Sequence, residues 1–495
     1  MSYGIAFVLI LIFAFLLKKD LMKSGLDRKH LYIGWGIKLA FGSLYIAIFS
    51  YYFSDGIIFG DSRSFLNDGA ELATYAESQP LNYLKLLFGI GADNHAFIAN
   101  ELPNTQIWSY GDNGDFINDN RLIIRVNSVI HFISRGNIWI HAICFAAISY
   151  LGSLLLFKTF KEFTKNKLLS FYGLLCFPTI SFWGGGITKE TILLFGLGVF
   201  FYNLKFLMNS SFKFKNLLGL ILGIGLLLFN KPHVGIFILV LSPIVIYLLK
   251  YQITRIKSVI LILGVVGGFV ALSYTPDRVN IVNRLSYKQK DLQNLGNGGV
   301  FFINDTAFCA FDYELENRFD YDKENSIISI LESAEGEYKL FGESKFHNFK
   351  APASEELFDV YRVIEPSKSL VSATPINNSG WQLIKNTPMA LVNVFLRPSP
   401  ADPGDPLKFI SFLENLIFLT FIIFVIFKRR TLNETEKSWV FYLLISVGVI
   451  ALIIGWSTPI LGAIVRYKMA SHLLLFIALS IILKPLKNET ESTIE

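Results

Sequence analysis

Apolar runs of near membrane-crossing length alternate with polar connections along this chain, at 3–17 and at about 31–53, 137–157, 168–183, 189–206, 216–230, 234–249, 257–274, 408–427, 438–456 and 467–484. A bilayer core asks for roughly 20 apolar residues per helix, so the pattern predicts an all-α polytopic membrane protein of about 11 transmembrane helices with two large external loops. The expected organisation is two N-terminal transmembrane helices (1–53), a first external loop with a surface helix (54–136) and a central bundle (137–274). A second external loop or cap (275–407), the C-terminal transmembrane helices (408–484) and a cytoplasmic tail (485–495) complete it. The first run, Tyr3 to Leu17, is followed rather than preceded by its basic residues Lys18, Lys19, Lys23, Arg28 and Lys29. That order reads as an anchor with an outward N-terminus and not as a signal peptide.

Charge then orients the helices. Every second connection is basic: "KTFKEFTKNK" at 158–167, "KFKN" at 213–216, "KYQITRIK" at 250–257 and "KRR" at 428–430. Cytoplasmic loops carry such excess, which leaves both long connections and the short turns "GGGITKE", "NKPH" and "TPILGAIVRYK" on the external side. The unusual polar chemistry therefore converges on one face.

Composition agrees with this reading and removes alternatives. The 495 residues are 52% hydrophobic, 15% aromatic and only 17% charged, with a mean hydropathy of +0.46. Such a chain is expected in lipid rather than as several soluble domains. Its formal charge of +6 falls in short clusters beside apolar runs and not along one stripe, so no nucleic-acid partner is expected. Cys144, Cys176 and Cys309 offer no disulfide framework or metal-binding spacing. A Walker motif and a dinucleotide-binding glycine pattern are both missing from the sequence, which argues against a nucleotide-sugar donor held in a soluble domain.

The candidate chemistry begins after the second run, where "GDSRSFLNDGAELATYA" follows Asp55 and carries Asp61 as its second residue. Leu66, Ala70, Leu72, Ala73 and Ala76 mark an amphipathic surface helix, and Asp61 stands at its start. There it either caps the helix or acts as a general base at the interface. In "PTISFWGGGITKE" the glycines loosen a turn that can approach a ligand, and Lys189 and Glu190 open the next helix, whose N-terminus suits a phosphate. The alternative is that Lys189 snorkels to headgroups and Glu190 complements the helix dipole. "NKPHVG" adds Lys231 and His233, and "AIVRYKMASH" adds Arg466 and Lys468. Arg466 is either a phosphate ligand or a snorkelling residue.

In the second loop, "TPDRVNIVNRLSYKQKDLQNLGNGG" reads as an amphipathic helix ending in a glycine turn, and "GVFFINDTAFCAF" as a small strand. A moderately polar cap follows around 325–370, and in "FLRPSPADPGDPLKFISFLENL" the prolines after Arg397 forbid a continuous helix and force an extended return to the membrane. Asp112, Asp115 and Asp119 in "GDNGDFINDN" could hold a divalent cation, although turn chemistry explains the same residues.

The element "GDSRSFLNDGAELATYA" resembles the first external loop of the C-class membrane glycosyltransferases (GT-C fold), in which an acidic residue soon after a transmembrane helix precedes a surface helix. "PTISFWGGGITKE" is similar to a turn of membrane glycosyltransferase-like proteins of bacterial surface-polysaccharide clusters. This loop follows the second span rather than the first, a departure from the family's arrangement. The resemblance implies transfer of a sugar from a polyprenyl-linked donor to a surface-glycan acceptor at the external face of a bacterial inner membrane. It makes Asp61, and less directly Asp55, the catalytic carboxylates; the chemistry of the external turns adds Lys189, Glu190, Lys231, His233, Arg397, Arg466 and Lys468 as the expected substrate-binding residues. An O-antigen-type polymerase or ligase would rely on Arg397 and Arg466 instead. A transporter or flippase for lipid-linked sugars would call for charges at mid-membrane, none of which stands out in the sequence.

Overall fold

The computed structural model describes residues 2–20, 24–108, 118–208, 213–251, 255–272, 275, 280–303, 307–322, 327–340, 346–371, 373–376 and 379–486. Two helices lead, α1 (Ser2–Asp20) and α2 (Arg28–Ala47), and α2 runs on into a π-helical turn, Ile48–Tyr52. The first loop folds into α3 (Asp61–Ser78), α4 (Pro80–Leu87), α5 (His95–Glu101) and α6 (Arg121–Ser134). The central bundle is α7 (Ile138–Phe160), α8 (Lys167–Cys176), a second π-helical turn (Thr179–Trp183), α9 (Lys189–Met208), α10 (Phe214–Asn230), α11 (Pro232–Tyr251) and α12 (Arg255–Leu272).

Four helical stretches are long and apolar enough to cross a membrane: Arg28–Tyr52, Ile138–Phe160, Lys408–Phe427 and Glu434–Ser457. A fifth span arises if Leu461–Tyr467 and Met469–Ile482, bent by 44°, count as one. The chain is therefore a largely helical protein with the make-up of a membrane protein, but the predicted count of about 11 is not reached among the described residues. Several apolar runs are cut short. The run at 168–183 breaks after Cys176, ahead of Pro178, and α10 and α11 meet at Lys231 with no longer connection. Exposed apolar side chains such as Phe15, Ile221, Leu263, Ile417 and Phe427 face outward, as a hydrocarbon surround requires.

The all-α expectation is corrected in the second loop. After α13 (Ile281–Asn297) come seven strands: β1 (Gly299–Ile303), β2 (Ala307–Asp312), β3 (Phe319–Asp322), β4 (Ile327–Ile330), β5 (Ala334–Leu340), β6 (His347–Ala351) and β7 (Ser354–Ile364). They form one antiparallel sheet in the order β3-β4-β7-β1-β2-β5-β6. The aromatic and β-branched content of "GVFFINDTAFCAF" predicts a strand, which the structure splits into β1 and β2; β4 to β7 lie in the stretch expected to be a moderately polar cap, although "IISI" and "LFDVYRVI" carry strand-forming residues of their own. One face buries Phe302, Cys309, Phe311, Phe319 and Ile328 in a small core of its own.

The chain returns through α14 (Gly380–Phe395), α15 (Lys408–Phe427), α16 (Glu434–Ser457), α17 (Leu461–Tyr467) and α18 (Met469–Ile482). Helix α14 packs against α16 rather than lying in the cap: a Cβ on Gly455 would come within 2.3 Å of the Ala390 carbonyl. The proline run between α14 and α15 is non-helical as expected, but it is a series of turns and not an extended segment.

The two ends of the bundle separate as the charge pattern implies. At one end Lys161 donates to the Ser24 carbonyl (2.8 Å), Arg430 to that of Phe163 (2.7 Å) and Asn166 to that of Lys484 (2.8 Å). At the other end the first loop, the turn before α9, the α10–α11 junction and α17 converge.

Candidate functional site

Arg466 joins segments far apart in sequence. Its Nη1 donates to Asp61 Oδ2 at 2.8 Å and its Nε to Glu190 Oε2 at 2.8 Å. The other oxygen of Glu190 lies 2.7 Å from Lys231 Nζ, and next door Lys189 Nζ donates to Asp119 Oδ1 at 2.6 Å. Local structure explains each position. Gly60, with φ near 75°, takes the N-cap position of α3, so Asp61 is the first helical residue and its side chain turns to Arg466 instead of capping. Lys189 and Glu190 open α9, and a bond from the Asn230 amide to the Lys189 carbonyl (2.7 Å) ties that start to the end of α10. Arg466 sits in the last turn of α17, just before the bend.

Aromatic rings wall the cluster. Arg466 lies over Trp183 (5.8 Å), Lys231 over Tyr467 (4.1 Å) and Lys189 over Phe65 (6.0 Å). Both π-helical turns border it, and Tyr45 from the end of α2 and Phe49 from the first turn meet Phe182 and Trp183 from the second at centroid distances of 5.2 to 6.3 Å. The Tyr45 hydroxyl bonds to Ser62 Oγ (2.7 Å), which donates to the Ile187 carbonyl (2.8 Å), locking the base of α3 to the glycine turn. Such π-helical turns occur frequently at functional sites.

The three glycines of "GGGITKE" do not loosen the turn. Gly184, Gly185 and Gly186 are buried, and a Cβ on them would meet Ile180 O at 2.3 Å, Ser181 O at 2.5 Å and the Tyr45 ring at 2.5 Å. Close packing, not approach to a ligand, is what requires them.

Burial sets the electrostatics. The Glu190 side chain is 1% exposed and Lys231 is 6%, whereas Asp61 is 53% exposed. Burial depresses the Lys231 ammonium below its ordinary value in spite of the Glu190 carboxylate. Burial would raise the Asp119 carboxyl, but Lys189, Lys288 and Lys231 together hold it below the ordinary carboxylate value. Lys288 comes from α13, so the cap also contributes charge here.

Of the predicted residues, Asp61, Arg466, Glu190 and Lys231 form one network, Lys189 pairs with Asp119 beside it, and His233 starts α11 within reach of the charges of Lys231 and Asp119. Three do not join it. Asp55 is exposed in the loop before α3. Arg397 pairs with Asp402 (3.3 Å) and donates to Asn393 Oδ1 (3.2 Å). Lys468, two residues past Arg466, points the other way from it, donating to Asn415 Oδ1 at 2.6 Å. Helical geometry turns residues i and i+2 to nearly opposite faces, so adjacency in "VRYK" does not bring both cations to one site.

The sequence reading missed Tyr45, Ser62 and Tyr467, whose roles depend on contacts between distant elements. It also missed Asp68, whose carboxylate accepts from the amides of Gln106, Ile107 and Trp108 at 2.7 to 2.9 Å and fixes the chain ahead of Asp119. Burial pushes the Asp68 carboxyl up to about 6 against those three donors. Charges within the apolar helices were missed as well: Lys38, which donates to Ser181 Oγ (3.3 Å), and Glu414, which accepts from the Thr179 amide (2.8 Å) and hydroxyl (2.5 Å), are both buried.

The proposed divalent-cation ligands Asp112 and Asp115 lie outside the described residues, and Asp119 is engaged by Lys189. Among the described residues no group of three or more His, Cys, Asp or Glu side chains is placed to hold a metal.

Comparisons with protein-family models, curated proteins and solved structures find no match to this chain.

Proposed function

We propose that the chain is a membrane glycosyltransferase that uses a polyprenyl phosphate- or diphosphate-linked sugar at the outer face of a bacterial inner membrane. The observation that carries the reading is the Asp61–Arg466–Glu190 bridge, with Lys231 and Lys189 alongside. It sets a solvent-accessible carboxylate beside a group of cations at one end of an apolar bundle. In the proposed reaction an acceptor hydroxyl oxygen bonds to the anomeric carbon as the bond from that carbon to the phosphate oxygen breaks. The hydroxyl proton passes to Asp61, and the negative charge on the departing phosphate is met by Arg466, Lys231 and Lys189.

A carboxylate held by arginine is a poor base. The unequal burial of the two carboxylates resolves this: Glu190, 1% exposed, anchors Nε permanently, whereas Asp61, 53% exposed, can be exchanged at Nη1 for a phosphate oxygen. Donor binding then frees the base it needs. Arginine's planar fork suits such an exchange because one nitrogen can change partner while another stays fixed.

The test uses purified protein in nanodiscs with polyprenyl diphosphate for binding and a polyprenyl diphosphate sugar for transfer. Asp61→Asn is expected to bind the lipid at least as well as wild type and to transfer about 100-fold or more slowly. Lys189→Gln and Arg466→Gln should bind the lipid about ten- to hundredfold more weakly. Normal binding and transfer in all three would overturn the reading. Normal turnover in Asp61→Asn with collapse in Arg466→Gln would favour the polymerase or ligase, a reading supported by Arg466 standing at the centre of the network. The buried charges Lys38 and Glu414 favour transport of a lipid-linked sugar, and transfer activity in detergent, where no second compartment exists, would set transport aside as the sole activity.

A further inference from the structure

The sheet of the cap has two faces: one carries the aromatic core, and the other buries Phe301 and Ala310 beneath a polar border. Strand alternation puts Ala310 and Asp312 of β2, Glu335 and Glu337 of β5, and Asn348 and Lys350 of β6 on the other face; the register confirms it, with Ala310 opposite Glu337, Glu337 opposite Asn348 and Glu335 opposite Lys350. Phe301 of β1 is on this face too, since it pairs with Ala310. Helix α13 runs along the same side, and its Lys290 and Asn294 both reach Glu337, at 2.6 Å and 3.5 Å. Between helix and sheet lies a cleft of about 470 Å³. Its floor is apolar and small, made by Phe301 and Ala310. Its rim is polar, made by Asn294, Asp312, Glu335, Asn348 and Lys350.

We infer that this cleft is a second binding site, for an oligosaccharide that is uncharged or bears amino groups. Phe301 and Ala310 are buried and only close the floor, so recognition rests on the exposed rim, whose amides and carboxylates bond to vicinal hydroxyls. Three carboxylates (Asp312, Glu335, Glu337) face two lysines (Lys290, Lys350), so the rim carries one net negative charge. That balance disfavours uronate-rich or sulfated chains. The inference stands on the chemistry of the cleft and does not depend on a transfer reaction.

The experiment is calorimetric titration of the full chain in nanodiscs with chitotetraose (uncharged), a glucosamine tetramer (cationic), a hyaluronan tetrasaccharide (anionic) and tetralysine, with no lipid donor present. Saturable binding of at least one of the first two is expected, at least tenfold tighter than hyaluronan. It should weaken at least tenfold in Asp312→Ala and in Asn348→Ala, two exposed positions whose loss leaves the unfolding temperature unchanged. No saturable binding by any oligosaccharide, binding indifferent to both variants, or binding of tetralysine alone would overturn the inference. Because no donor is used, a failure here is distinct from a failure of the transfer assay.

Discussion

Glu190 and Asp61 hold the same guanidinium in opposite surroundings, and their replacement should therefore have opposite consequences. Removing the Glu190 charge strands Lys231 and Arg466 in a buried site, and breaking such a pair costs about 3 to 5 kcal/mol. The Asp61 contact is half exposed, and pairs of that kind contribute about 1 kcal/mol or less. Glu190→Gln is accordingly expected to lower the unfolding temperature of the purified protein strongly and Asp61→Asn hardly at all, while transfer is impaired in both. Equal destabilisation by the two substitutions would mean that Glu190 is not the anchor. At this scale the sequence showed residue types beside apolar runs, and four of the nine selected residues, Asp61, Glu190, Lys231 and Arg466, meet in one network with Lys189 next to it. Asp55, Arg397 and Lys468 do not, because a charged residue beside an apolar run can turn to a neighbouring helix or to solvent with equal ease, and pattern alone does not say which.

The two π-helical turns and the glycine turn act together as one element of the site. Tyr45 fills the space that a side chain on Gly186 would occupy, and through Ser62 it ties the start of α3 to the turn that precedes Lys189. Gly186→Ala should displace this junction, costing about 1 to 3 kcal/mol as overpacking of a close contact and lowering transfer further than stability alone explains. Gly264 in α12 has nothing within 4 Å of the Cβ position, so Gly264→Ala should leave activity intact and stability unchanged or up to about 1 kcal/mol higher. Matched thermal unfolding and transfer measurements on both variants decide this; a silent Gly186→Ala would show that the turn tolerates displacement. The sequence marked "GGGITKE" as unusual, yet its glycines serve packing and not looseness. A run of glycines is compatible with either role, and only the neighbour that takes the vacated space distinguishes them.

For the molecule as a whole, the basic connections gather at one end of the bundle and the charged cluster at the other. With the three cysteines replaced, a single cysteine at Glu335 or Asp312 should react with an impermeant reagent in intact spheroplasts, and one at Glu162 only after permeabilisation. The reverse pattern would place the cluster in the cytoplasm and remove the argument for a lipid-linked donor. Among the described residues four helical stretches, or five with the bent pair taken as one, are long and apolar enough to cross a membrane, and the expected count of about 11 is not shown, because apolar character in sequence does not separate a full crossing from a helix that breaks, bends or stops partway.

What the sequence determined by itself is whatever depends on local composition and period: apolar helices, an amphipathic α3 and α13, and the alternation of polar connections between two ends. Each follows from transfer energies and side-chain spacing within a few turns of backbone. Tertiary structure decided everything that depends on pairing across distance. Residues 61, 190 and 466 become one site only when α3, α9 and α17 meet. Strands β3 to β7 become a sheet only through pairing with one another and with β1 and β2, because a strand's hydrogen bonds are made to a partner that its own sequence does not specify.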